Sequence, residues 1–211
     1  MTFDELAPLL QAGPVVPVLT INDAGQAGAL AEALFEGGVT VAETTLRTAD
    51  GLAAIKEMKR AAPKLAVGAG TVLSGDDLKR AEDAGSDFIV TPGTPPDLID
   101  ALGRSSVSVI PGVATPAEAI ACRAAGFMRQ KLFPAEIVGG AAMIKALGGP
   151  MSDLSFMPTG GVNLDNLKSY LSLPNVFAAG GTWIAREADV DAGDWAGIKA
   201  RSAEAVAAAR S

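Results

Sequence analysis

The chain has 211 residues, 49% hydrophobic and 19% charged, which suffices to bury one sizeable core without calling for a second domain. A formal net charge of -7 with no basic run argues against nucleic acid or an anionic membrane as partner, although a few backbone N–H groups and arginines could still hold an anionic metabolite. Histidine is absent, which removes the commonest general base and the commonest metal ligand, so acid–base work falls to carboxylates and lysines.

Met1-Thr2-Phe3-Asp4-Glu5 lacks the basic start of a signal peptide, and the longest apolar runs are strand-sized, so a soluble cytoplasmic protein is expected. Residues Met1 to Ala12 read as a helix ahead of the first strand. Short β-branched runs then recur at Val15–Leu19, Thr40–Leu46, Leu65–Gly70, Asp87–Val90, Val107–Ile110, Met128–Leu132, Leu154–Met157 and Val176–Ala179, beginning roughly 20 to 26 residues apart. Each is followed by an alanine-rich segment with apolar residues at helical spacing, as in Ala27 to Phe35, and Asp194 to Arg210 reads as a closing helix. Runs such as Phe88-Ile89-Val90 are apolar on both faces, as parallel strands beneath helices require. Eight such units predict a single-domain (β/α)8 TIM barrel over residues 1–211 with an extra N-terminal helix. A doubly wound open sheet is less favoured, because no Gly-x-Gly-x-x-Gly follows the first run.

Barrel chemistry sits at the C-terminal ends of strands, so those ends are taken in turn. In the second run the period of two puts Val41, Glu43, Thr45 and Arg47 on one face, directed inward. A carboxylate in mid-strand is costly to bury without a partner, so Glu43 is either a functional group or half of a structural pair with Arg47. The same alternation turns Val67, Ala69 and Thr71 inward in the third run, where small side chains leave room for a ligand. Thr91-Pro92-Gly93 and Pro111-Gly112 end the fourth and fifth runs as turns or pocket walls. Thr115-Pro116-Ala117-Glu118 has the spacing of a capping box, so Glu118 is expected to cap a helix. Cys122, the one cysteine, falls on an amphipathic helix and is expected to be a packed thiol.

On the sixth run Arg129, Lys131 and Phe133 share a face. Lys131 is the only one of eight lysines at the C-terminal end of a strand; the others fall on polar helical faces or, like Lys64, just before a strand. An ordinary amine, with pKa about 10.4, is almost wholly protonated at neutral pH, so a nucleophilic lysine needs desolvation or nearby positive charge. The last two loops carry Pro158-Thr159-Gly160-Gly161-Val162-Asn163 and Gly180-Gly181-Thr182-Trp183, and paired glycines there let backbone N–H groups approach a phosphate.

With these residues in place the chain resembles the 2-keto-3-deoxy-6-phosphogluconate (KDPG) and 2-keto-4-hydroxyglutarate (KHG) aldolase family, whose KDPG members are class I pyruvate aldolases of the Entner–Doudoroff pathway. The likeness is nearly full length, running through Gly13–Val18, Glu43–Thr48, Gly68–Val72, Lys131–Glu136, Pro158–Gly161 and Gly180–Trp183. It implies Lys131 as the Schiff-base lysine and Glu43 as the acid–base carboxylate. It further implies Arg47 and Thr71 as binders of the substrate carboxylate, Pro92 and Phe133 against the pyruvyl group, and Thr159, Gly160, Gly161, Gly181 and Thr182 around the phosphate. The implied partners are a phosphorylated 2-keto-3-deoxy sugar acid, pyruvate and glyceraldehyde 3-phosphate, in a homotrimer without metal or other cofactor. Three positions depart from the family pattern: Thr182 stands where serine is common, and Arg129-Gln130 precede the lysine where more apolar character is usual. Alternatives are a 2-keto-4-hydroxyglutarate or 2-dehydro-3-deoxy-6-phosphogalactonate aldolase, a sugar-phosphate isomerase using Glu43 as base, and a non-catalytic phosphometabolite sensor.

Overall fold

The computed structural model describes residues 1–210. Among them are nine strands, all paired in parallel: β1 (Val15–Leu19), β2 (Val41–Thr45), β3 (Ala66–Gly70), β4 (Phe88–Val90), β5 (Ser108–Ile110), β6 (Gly112–Val113), β7 (Arg129–Leu132), β8 (Ser155–Pro158) and β9 (Ala179–Gly181). The helices are α1 (Phe3–Ala12), α2 (Ala27–Glu36), α3 (Gly51–Ala61), α4 (Gly75–Asp83), α5 (Pro96–Leu102), α6 (Pro116–Ala124), α7 (Gly140–Leu147), α8 (Leu164–Leu171), α9 (Glu187–Asp191) and α10 (Trp195–Ala209). This is an α/β fold in which a six-stranded sheet, ordered β5-β4-β3-β2-β1-β9, curls into a half-barrel beside a three-stranded sheet, β6-β7-β8.

Around two of the expected runs the strands are divided differently from the sequence pattern. The fifth, Val107–Ile110, pairs with β4 and stops at Pro111, which has no N–H to give to a ladder, but beyond it Gly112 and Val113 form a further short strand in register with Lys131 and Leu132 of β7. The eighth run straddles two neighbours: Val176 only bridges to Phe156, and the paired strand begins at Ala179, in register with Val15 of β1.

Apolar side chains form two shells, because each strand sends alternate residues to opposite faces. An outer cluster, including Val15, Leu19, Ala42, Val67, Ala69, Ile89 and Leu132, packs beneath the helices. An inner cluster gathers Val16, Val41, Ala66, Phe88, Val90, Ile110, Met157 and Ala178 against Leu6 and Leu10 of α1. Burying each of those two leucines contributes roughly 1.5–3 kcal/mol, which holds α1 across the strands' N-terminal ends. Further ties are the Met1 carbonyl, which accepts from the Ser108 N–H at 3.0 Å, and the Arg129 guanidinium, 4.4 Å from the Phe3 ring centroid.

The two shells reverse the phase expected for the third run. Val67 and Ala69 face outward, and Ala66, Gly68 and Gly70 face inward. Glycines occupy the inner positions because Phe88 and Glu43 already fill that space. At Thr71 the chain takes φ +61°, which ends the strand's alternation; the alternation that turned Thr71 inward therefore does not apply.

The capping box at α6 is present: Glu118 accepts from the Ala114 and Thr115 N–H groups at 2.6 and 3.0 Å. Cys122 is fully buried, and burial pushes its thiol up to about 11. Gln130 faces outward and donates to the carbonyls of Ala119 and Phe127, so its amide joins β7 to α6 and to the turn between them. No helix among the described residues is long and apolar enough to cross a membrane.

Candidate active site

The inward phase of β2 and β7 brings Glu43 and Lys131 together across the interior. Lys131 Nζ lies 3.0 Å from Glu43 Oε1 and 3.2 Å from Oε2, with the two residues 4% and 1% exposed. Glu43 is thus paired with Lys131, not with Arg47. A buried pair of this kind contributes little net stability because desolvation offsets most of its attraction; what it provides is an amine and a carboxylate held ready to exchange a proton.

The geometry depends on Gly70. A Cβ there would lie 2.7 Å from Glu43 Cδ and nearer still to Oε1, so any larger residue pushes the carboxylate off the amine. We expect Gly70→Ala to lower any turnover that depends on this pair by on the order of 100-fold, the cost of about 1 Å of misplacement. Overpacking should also cost about 1–3 kcal/mol of stability. Steady-state kinetics and urea unfolding measure the two, and a Gly70→Ala enzyme with wild-type rates would show that the carboxylate tolerates displacement.

Lys131 opens onto a cavity of about 240 Å3. Its wall includes Phe133, whose ring centroid is 5.3 Å from Lys131 Nζ, and Arg47, which follows β2. The segment carrying Arg47 is pinned on both sides, because Thr45 Oγ1 donates to the Leu19 carbonyl at 2.8 Å and Thr48 Oγ1 to the Ile21 carbonyl at 2.6 Å. Arg47 itself is exposed and makes no ion pair among the described residues.

The far side of the cavity is formed by Thr159, Gly160 and Gly161 after β8, with Gly181 and Thr182 at the end of β9. Gly160 and Gly161 take φ +97° and +81°. Their carbonyls are occupied: Gly160 accepts from the Glu136 N–H at 3.1 Å and Gly161 from Asn166 Nδ2 at 3.0 Å. Their own N–H groups donate to no described residue. Successive N–H groups of this kind beside the N-terminus of α8 are a geometry that can receive an anion.

Of the residues expected from the sequence, Thr71 and Pro92 lie outside this wall. Thr71 is half-buried and makes no side-chain hydrogen bond among the described residues. Pro92 is positioned by a closed circuit of hydroxyls. The Gly112 N–H donates to Thr91 Oγ1 at 2.8 Å and Thr94 Oγ1 donates to the Gly112 carbonyl at 2.9 Å, which leaves the Thr91 hydroxyl to donate to Thr94 at 2.8 Å. This circuit replaces the ladder interrupted at Pro111 and ties the end of β4 to the residue in register with Lys131. Val18 and Val162 line the cavity without having been singled out; both look in the sequence like ordinary core valines, and only the inward phase of β1 marks Val18. No cluster of three or more His, Cys, Asp or Glu side chains that could hold a metal ion occurs among the described residues.

Comparison with known proteins identifies the family. The family model Aldolase, described as KDPG and KHG aldolase, matches residues 6–201. A 2-dehydro-3-deoxy-phosphogluconate aldolase of Pseudomonas aeruginosa is 46% identical over 198 residues, covering 94% of this chain and 90% of that protein. The KDPG aldolase of Legionella pneumophila, solved with pyruvate captured as a covalent carbinolamine, superposes with a TM-score of 0.90 at 37% identity, over 93% of this chain and 96% of that one. The corresponding enzyme of Zymomonas mobilis, solved with 3-phosphoglycerate, gives 0.88 at 38% identity, over 96% and 95% of the two chains.

Proposed function

The chain belongs to the KDPG and KHG aldolase family, and from that premise we propose that it is a class I aldolase cleaving 2-dehydro-3-deoxy-6-phosphogluconate to pyruvate and glyceraldehyde 3-phosphate. The observation that carries this reading is the buried contact between Lys131 Nζ and Glu43 at 3.0 Å, opening onto a cavity with a free arginine at one side and free backbone N–H groups at the other. The distance from amine to carboxylate suits one proton acceptor serving one nucleophile.

Neutral Lys131, its proton passed to Glu43, attacks the C2 carbonyl, and Glu43 returns that proton to the departing hydroxyl, so that loss of water leaves a protonated imine. Glu43, its carboxylate restored, takes the proton of the C4 hydroxyl, directly or through a water. The C3–C4 bond breaks, its electrons pass to the imine nitrogen as an enamine, and the aldehyde departs. Protonation at C3 and hydrolysis release pyruvate and restore the amine. Arg47 holds the substrate carboxylate so that C2 faces Lys131, with Phe133 against the pyruvyl group; the resemblance assigns these contacts also to Thr71 and Pro92, although neither lines the cavity. Thr159, Gly160, Gly161, Gly181 and Thr182 receive the phosphate.

We further read residues 1–211 as one domain and the two sheets as a single (β/α)8 barrel with α1 as the extra helix. The bridges Phe156–Val176 and Thr159–Gly180, which link β8 to the segment of β9, support closure. By family resemblance the protein acts as a cytoplasmic homotrimer. The test is pyruvate release from both C4 epimers of the phosphorylated keto acid and from the unphosphorylated counterpart. Arg47→Ala is expected to raise KM by about 10- to 100-fold on every 2-keto acid, the worth of a charge-assisted contact. No pyruvate from any of them, or an Arg47→Ala enzyme with unchanged KM, would overturn the assignment.

A further inference from the structure

We propose that Glu136 and Tyr170 form a positioning pair that holds the Gly160–Gly161 turn in its anion-accepting shape, and so set the preference for a phosphorylated substrate without touching it. The inference rests on the phosphate role assigned to that turn above.

Glu136 lies in the loop that leaves β7 just past Lys131, and this loop is fastened to the turn along its backbone. The Ala135 N–H donates to the Thr159 carbonyl at 2.8 Å and the Glu136 N–H to the Gly160 carbonyl at 3.1 Å. The Glu136 side chain then runs across Gly161, where an added Cβ would lie 2.5 Å from Glu136 Cγ and 2.7 Å from its Cβ. Its carboxylate ends on the hydroxyl of Tyr170, which donates to Oε1 in a short hydrogen bond. Tyr170 is fully buried in α8, the helix whose first turn also grips Gly161 through Asn166. Burial, and then the donation to Glu136, raises the phenol above its ordinary range, so the hydroxyl remains a donor throughout the working pH range.

The turn is therefore clamped from two sides, by Asn166 on the Gly161 carbonyl and by the Glu136 stem beneath Gly161. Both clamps return to α8. A carboxylate beside a site for a dianion is electrostatically unfavourable. What Glu136 contributes there is shape: with its stem fixed by Tyr170, both carbonyls of the turn stay engaged and both N–H groups stay free for the cavity. Glu136 is not part of the cavity wall, which makes it a positioning residue and not a contact.

The test compares kcat and KM for the phosphorylated keto acid and for its unphosphorylated counterpart in Tyr170→Phe, Glu136→Ala and Glu136→Gln enzymes. Tyr170→Phe keeps the ring that fills the core and removes only the hydroxyl. Expected is a rise of about tenfold in KM for the phosphorylated substrate in Tyr170→Phe and Glu136→Ala, with kcat/KM for the unphosphorylated one unchanged. Glu136→Gln, which retains an acceptor oxygen, should return to within about twofold of wild type. Equal losses on both substrates, or no loss on either in an enzyme that does prefer phosphate, overturn the pair's role alone. A wild-type enzyme indifferent to phosphate overturns the assignment of the turn and the pair's role with it.

Discussion

Lys131→Met is expected to reduce pyruvate formation by on the order of 10⁵-fold, the scale of advantage that a correctly held intramolecular nucleophile has over a diffusing one. Methionine keeps the length of the side chain and loses the nitrogen, so no imine forms and no electron sink develops next to C3. Incubating the wild-type enzyme with pyruvate and borohydride should attach one pyruvyl unit to Lys131, detectable by peptide mass; the variant should take up none. The same substitution leaves the Glu43 carboxylate, 1% exposed, without its ion-pair partner. Breaking a buried pair from one side costs about 3–5 kcal/mol, so the urea midpoint should fall, and the double variant Lys131→Met, Glu43→Gln should recover much of that loss without recovering activity. Cleavage that persists in Lys131→Met, or a label on a different lysine, would reject the imine.

Glu43→Gln is expected to lower kcat by about 10²- to 10⁴-fold, the usual contribution of a positioned general base. The amide keeps the shape that fits against Gly70, and its oxygen still accepts from Lys131, but the charge that the amine faced is gone, so stability should fall here too, by up to about 3–5 kcal/mol. Pyruvate trapping should persist in this variant, though more slowly, because an amine can still form the imine once it loses its proton to water. Turnover and trapping therefore separate the carboxylate's part in C3–C4 cleavage from its part in imine formation. A Glu43→Gln enzyme with unchanged kcat would remove this residue from the chemistry.

Much of this site could be read in the sequence because a strand's period of two is unforgiving. In Thr40–Leu46 the charged residue at 43 and the valine at 41 fall on one face, and the structure places both inside, Val41 in the inner cluster and Glu43 on Lys131. Lys131 stood out because no other lysine ends a strand. The third run failed for the opposite reason. Ala66, Val67, Gly68, Ala69 and Gly70 are all small, so nothing in their chemistry fixes which alternate set faces inward; the phase is set by Phe88 and Glu43, residues distant in sequence, whose bulk only glycine can accommodate. Pro111 was visible as a turn residue, but that a further short strand would follow it, on β7, depends on the partners found by Gly112. The Thr91–Thr94 circuit and the Tyr170–Glu136 bond were not legible at all, since they join residues through hydroxyl geometry that has no periodic signature.

The seal that α1 makes over the strands' N-terminal ends leaves the inner shell a cul-de-sac. Leu6, Leu10 and Phe88 pack together at that end, and Lys131 opens onto the cavity at the other. The molecule that finally hydrolyses the pyruvyl adduct must arrive by the same opening through which the aldehyde leaves. Departure and arrival are thus forced into sequence: the three-carbon phosphate clears the passage first, and pyruvate, still tethered, waits for solvent to follow it in.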